Sequence, residues 1–257
     1  MKAVFKRFLI CVLAVLAAFA ITSCGKNDGV EDGGNAKPPR GDGTLKPVYS
    51  EGLEFTVINY GGEYSVTGLG SCTDTVVNVP PEHNGLPVTT IGEEAFKNYD
   101  LFTDTKETLV AVTIPDSVKT ISKRAFWGIK TLTTVIFGKN VETVGEEAFY
   151  VCNSLTAAIL PETATRIEKN AFCGCNSLET LVLKGATYIG EDAFRSAVSL
   201  KTVSLGKFLK AVETNTFYAC KNLTDVNFYG TDTDLKAAKI GDGNEYLLNA
   251  KINFIAE

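Results

Sequence analysis

The chain has a single histidine, His83, in 257 residues. That scarcity excludes chemistries needing two imidazoles: histidine-rich zinc sites, histidine dyads and paired haem ligands. An excess of positive charge is also absent. Lys and Arg number 25 against 30 Asp and Glu, a formal charge of −5, whereas nucleic-acid binders normally carry a basic stripe. The apolar N-terminal run Phe8–Ile21 has 14 residues, short of the roughly 20 that a spanning helix needs. No G-x-S-x-G, P-loop, G-x-G-x-x-G or H-E-x-x-H occurs. What remains is ordinary globular composition, 45% hydrophobic and 21% charged with 23 Gly and 8 Pro. Disordered and collagen-like proteins do not look like this.

The N-terminus reads as an address. Lys2, Lys6 and Arg7 precede the short apolar run, the pattern of a secretory signal. It closes on Ile21-Thr22-Ser23-Cys24-Gly25, which resembles the bacterial lipobox; the resemblance implies cleavage after residue 23 and lipid attachment at Cys24. Acyl groups contribute about 0.8 kcal/mol per buried methylene and anchor without spanning. Loss of residues 1–23 leaves 22 cations and 30 anions, a charge of −8, so contact with the membrane is expected through the lipid alone. Residues 24–47 are Gly-, Pro- and Asp-rich with almost nothing apolar and read as a flexible tether. Lys26-Asn27-Asp28 with Glu31-Asp32 loosely resembles the acidic export signal of Bacteroidetes surface lipoproteins, although Asn27 interrupts it. The expected location is the outer membrane facing outward, with a periplasm-facing orientation as the alternative.

Internal repeats organise the rest. A phenylalanine recurs in the setting [IV]-x-x-x-[AT]-F at Phe96, Phe126, Phe149, Phe172, Phe194 and Phe217, with spacings of 30, 23, 23, 22 and 23. Leu132, Leu155, Leu178, Leu200 and Leu223 follow six residues later. In the first repeat the leucine is Leu109, displaced by an insertion around Leu101–Glu107. Apolar residues then stand at Leu+3 and Leu+5, the alternation of a strand. A second apolar pair follows, as in Val141/Val144 and Ala164/Ile167, and Pro115 and Pro161 mark the turn between the two. The E-x-A-F segment reads as a short helical turn. One such unit cannot bury its own apolar side groups, but stacked units can. The fold class is therefore an α/β repeat solenoid: a parallel sheet with short helical turns and about 23 residues per turn.

This repeat closely resembles the BspA-type leucine-rich repeat. The resemblance covers 91–228, with an N-terminal cap in 48–90 and a C-terminal cap in 229–257, one solenoid over 48–257. It implies a non-enzymatic surface protein that binds protein partners in adhesion, host extracellular proteins among them. A glycan-binding or assembly accessory module on the same membrane is the alternative. No cofactor, metal or nucleic-acid partner is expected.

The remaining chemistry-bearing residues fit the repeat. Cys152, Cys175 and Cys220 stand at Phe+3, where other repeats carry Tyr99, Ile129 and Ala197. That is a buried column suited to small or apolar residues, among which free Cys belongs. A disulfide between Cys152 and Cys175 is the alternative; Cys72 and Cys173 are leftover thiols. His83 follows Pro80-Pro81-Glu82 and precedes Asn84-Gly85, a turn signal that places it in a loop.

Two columns are candidate partner surfaces. Leu+2 and Leu+4 should face outward from each strand, which aligns Ile136, Ile159 and Val182, with Thr134 and Thr180 beside them. Contiguous exposed aliphatics point to a contact site, though β-branched residues also simply suit strands. At Phe+1 stand Trp127, Tyr150 and Tyr218, either an edge for partner or sugar stacking or rings partly buried between turns. The insertion is a third candidate.

Overall fold

The structure, a computed structural model, describes residues 47–97 and 109–256. The signal, Cys24, the tether up to Lys46, Tyr99 and the insertion Leu101–Glu107 lie outside the described residues.

Each coil supplies two short strands and one turn. The strands ending in the apolar pair belong to a ten-stranded sheet, in which nine strands stack in order and Glu82–His83 pairs alongside. It starts with the antiparallel hairpin Glu54–Ile58 and Glu63–Gly68. The parallel strands Leu86–Ile91, Thr120–Ile121, Thr143–Val144, Arg166–Ile167, Tyr188–Ile189, Ala211–Val212 and Lys239–Ile240 continue it. In register, Ile121, Val144, Ile167, Ile189 and Val212 lie directly over one another, all buried. This in-register column is why the sequence repeats so strictly: a one-residue slip would turn each aliphatic outward.

The Leu+2 to Leu+4 strands form the opposite wall in two parallel ladders. One holds Val76–Asn78, Ala111–Thr113 and Thr134–Ile136. The other holds Ala157–Ile159, Thr180–Leu183, Thr202–Gly206, Asp225–Tyr229 and Lys251–Phe254. At the division, Thr156 donates its N–H to the Thr133 carbonyl at a long 3.4 Å. Beside it Phe137 turns edge-on to Phe149, 5.8 Å between ring centres at 72°.

The third side differs from the helical turn that the E-x-A-F pattern predicts. The residue two before each Phe has a left-handed backbone: Glu94, Arg124, Glu147, Asn170, Asp192 and Asn215 have φ of 55–57°. A right-handed helix cannot contain it. The segment is instead a pair of successive turns, as in Ala148 N–H to Gly145 O and Tyr150 N–H to Glu147 O. The reason lies in where the other amides point. Arg124, Phe126 and Gly128 donate to the carbonyls of Glu146, Ala148 and Tyr150, and Glu147, Phe149 and Val151 to those of Lys169, Ala171 and Cys173. Donors in this column thus reach forward to the next coil, satisfying buried backbone that an α-helix would satisfy internally. Among the described residues, helices occur only in the caps: a 3-10 turn at Asn59–Gly61 and α-helices at Asp232–Ala237 and Glu245–Leu248.

The core is a column of rings. Phe96, Phe126, Phe149, Phe172, Phe194 and Phe217 stack with centres 4.9–5.4 Å apart and planes within 15°. The last five are fully buried, and full burial of such a residue contributes about 1.5–3 kcal/mol. Beside them the thiols of Cys152, Cys175 and Cys220 are buried. Each Sγ donates to the carbonyl of the Phe one coil earlier, Phe126, Phe149 and Phe194 respectively, at 3.2–3.3 Å.

Both ends are closed by departures from the repeat. At the N-terminal end His83 is not in a loop: Glu82–His83 is a strand paired with Pro87 and Leu86, and the turn is only Asn84-Gly85. The imidazole stacks on Phe55, 4.0 Å apart at 12°, with Tyr64 edge-on to both. At the C-terminal end the amide group of Asn244, a residue 1% exposed, bonds to three backbone groups.

Candidate functional site

The two outward columns of the Leu+2/Leu+4 wall carry no charge over five coils. Neither column holds an Asp, Glu, Lys or Arg before Asp225, in a protein where a fifth of residues are charged. Ile159 stands 40% exposed. Val182 and Thr180 are its in-register neighbours, facing Ile159 and Ala157, and both are half-buried. Ile136 and Thr134 lie in the other ladder, paired with Thr113 and Ala111, across the division at Thr133/Thr156. The structure therefore joins Ile159, Val182 and Thr180 on one ladder and sets Ile136 and Thr134 on the next. Two expected outward positions are covered instead: Ala111 and Ser204 are 5% and 7% exposed, as such small residues sit below the level of their neighbours. Beyond Ser204 the face turns polar, with Asn253 Nδ2 3.3 Å from both Asp225 Oδ1 and Asn227 Oδ1.

The Phe+1 column is built differently from an open aromatic platform. Trp127 and Tyr150 lie face to face, 6.1 Å apart at 7°. The Lys97 ammonium sits 5.2 Å from the centre of the Trp127 ring, a cation–π contact. Both faces of Trp127 are thus occupied by the protein itself. Cys173 and Arg195 separate Tyr150 from Tyr218 in the column, so the three rings do not meet. Burial, and secondarily Asp192, pushes the Cys173 thiol up to about 11. Arg195 lies 5.1 Å from the Tyr218 ring, and Tyr218 remains 45% exposed.

The neighbouring charges of the turn side are paired across coils. Arg124 bridges Glu94 and Glu147 at 3.6 and 2.5 Å; Lys123 meets Glu146 at 3.1 Å and Lys169 meets Glu191 at 2.7 Å. Exposed pairs of this kind add little stability but leave that side electrically self-satisfied. Sequence reasoning passed over one feature outside both columns. Tyr60, at the tip of the first hairpin, is fully exposed with φ 56°; its signal was the turn sequence Asn59-Tyr60-Gly61-Gly62. Among the described residues, no group of three or more His, Cys, Asp or Glu is placed to hold a metal ion, and no helix is long and apolar enough to cross a membrane.

A solenoid of stacked coils, each with an in-register Phe, Leu and aliphatic pair, defines a leucine-rich repeat protein. The family model described as the BspA type leucine rich repeat region matches residues 89–224 in six copies. The chain belongs to the BspA-type leucine-rich repeat family. Among solved structures it is similar to a leucine-rich repeat protein of T. pallidum, at 22% identity and a TM-score of 0.66, covering 82% of this chain and all of that one. It is also similar to a leucine-rich cell surface protein of Faecalibacterium prausnitzii, at 24% identity and a TM-score of 0.63. That alignment covers 84% of this chain but 56% of the other. These likenesses are of fold. No curated protein matches the chain. Leucine-rich repeat solenoids are typically binding scaffolds without enzymatic activity, and the fold is consistent with a protein-interaction scaffold.

Proposed function

We propose that this protein is a non-enzymatic, lipid-anchored surface lipoprotein that holds protein partners on the uncharged Leu+2/Leu+4 face, in adhesion. The observation that carries the reading is Ile159, exposed at the middle of five coils whose outward columns carry no charge, with Val182 beside it in register and Ile136 on the neighbouring ladder. Desolvating such a face costs no buried charge, and a rigid wall loses little entropy on binding. The anchor is Cys24, and the sense of display is outward from the outer membrane, the periplasm-facing orientation being the alternative. The likeness to a protein described as a cell surface protein supports that choice. The glycan reading rests on Tyr218, whose ring stays accessible with Arg195 behind it.

The test is a pull-down of extracellular-matrix proteins and a glycan array with the full-length protein, its Ile159→Lys variant and its Tyr218→Ala variant. Ile159→Lys should lose protein capture while melting at an unchanged temperature. Glycan retention lost on Tyr218→Ala, with no protein captured by the unmutated protein, would replace this reading with the other. Cys24→Ala should release the protein from the membrane fraction; retention would overturn the anchor.

A further inference from the structure

We propose that Asn84 is a site of spontaneous backbone modification, and that the isoaspartate formed there unlocks the N-terminal end of the solenoid. Asn84 is the one asparagine of the sequence followed by glycine. Both residues are exposed. A methyl group built on Gly85 would meet nothing within 4 Å, so no other segment of the chain crowds this turn.

The chemistry needs only water. The Gly85 backbone nitrogen attacks Cγ of Asn84, the carbonyl carbon of its amide, and forms a five-membered imide. The bond between Cγ and Nδ2 breaks, and ammonia leaves carrying the proton that the Gly85 nitrogen gives up. Water then opens the ring. Opening at the backbone carbonyl yields isoaspartate, whose backbone carries one extra carbon; opening at Cγ yields aspartate. No oxidant or reductant takes part.

The location gives this step its consequence. Glu82 pairs with Pro87 and His83 with Leu86, leaving two turn residues, with φ of 49° at Asn84 and 77° at Gly85. That is the Asn-Gly turn whose twist matches paired strands. A lengthened backbone cannot close it. His83 would leave its place 4.0 Å from Phe55, and Tyr64 would lose its edge contact with the imidazole. Phe55 and Tyr64 belong to the two strands that cover the start of the ten-stranded sheet, so the modification loosens the cover over a parallel sheet edge.

The experiment ages the full-length protein at mildly alkaline pH. Peptides are mapped by mass spectrometry with isoaspartyl methyltransferase labelling, and amide hydrogen exchange is followed over residues 54–91. Isoaspartate should accumulate at Asn84 an order of magnitude faster than at any other asparagine, and protection over 54–91 should fall as it does. The control is Asn84→Gly, since Gly-Gly also forms this turn; it should age without loss of protection. Preferential modification at another asparagine would overturn the site. Modified Asn84 with unchanged protection, or equal loss of protection in Asn84→Gly, would overturn the unlocking.

Discussion

Asn244 Oδ1 accepts the Phe217 N–H at 3.0 Å, where each earlier coil offers a backbone carbonyl. Phe126, Phe149, Phe172 and Phe194 donate to Ala148, Ala171, Ala193 and Thr216 of the following coil. At the last repeat an asparagine amide stands in for that coil. The Asn244 amide also donates to the carbonyls of Glu213 and Gly241, both at 2.8 Å.

Asn244→Ala should therefore strip partners from three backbone groups at once. Each unsatisfied buried group costs about 1–3 kcal/mol, so a loss of about 2–4 kcal/mol is expected in urea unfolding, with hydrogen exchange rising first over 211–228. Asn244→Asp keeps the acceptor but loses both donors, and should also destabilise.

The ring column predicts a graded series. Phe172→Ala, in the fully buried middle, should cost about 3–5 kcal/mol. Phe96, 5% exposed at the end of the stack, should cost less on the same substitution. Equal losses in urea melts would argue against a continuous column.

Val151 holds φ 59°, a left-handed backbone that a β-branched residue adopts only under strain. Gly128 and Gly174 occupy the matching positions of neighbouring coils. Val151→Gly should stabilise by about 1 kcal/mol, the left-handed penalty being roughly 1–2 kcal/mol for a residue with a Cβ. Val144→Gly, in the buried ladder, should do the opposite. Thermal melts of the two variants check both.

Burial raises the Cys220 thiol to about 12 from an ordinary 9.0 and pushes the Cys175 thiol higher still. The unfolded protein ionises these thiols at the lower value, the folded protein does not. Their contribution is thus fully present below pH 9 and is lost as pH rises toward about 12. Urea melts from neutral to alkaline pH should show stability falling above 9, with a shallower fall in Cys175→Ala and Cys220→Ala. Alkylation of the native protein at neutral pH should spare both residues.

Much of this fold was legible because each ladder repeats its own residue type. The phenylalanines, leucines and aliphatic pairs all fell inside, as their spacing requires, and the Phe+3 cysteines proved to be a buried column. The left-handed turn was not legible: Glu94, Arg124 and Glu147 carry no glycine to announce a positive φ, because hydrogen bonds to the next coil impose it. Asn244 lay outside the repeat, and nothing local marks an amide that replaces a coil. His83 sat beside a true turn signal, but the turn is the two residues after it. At the candidate site, spacing aligned Ile136, Ile159 and Val182. It could not show that the ladder divides between the first two, or that Lys97 covers Trp127, since both depend on how separate coils meet.

The forward-reaching amides of the turn column carry an electrical consequence. Their peptide dipoles point along the solenoid axis in one sense, as in a helix, where such alignment leaves partial charge at the ends. Here the N–H groups aim toward the C-terminal end, so the partial positive pole lies there. Two acceptors meet it: Asn244 Oδ1, which takes the Phe217 N–H, and the Asp242 carbonyl, which takes the Asn215 N–H at 2.8 Å. Every added coil lengthens the dipole of this column, while donors at the strand ends, such as Glu142 and Gly145, reach back to Lys119 and Ile121 and oppose it on the neighbouring wall.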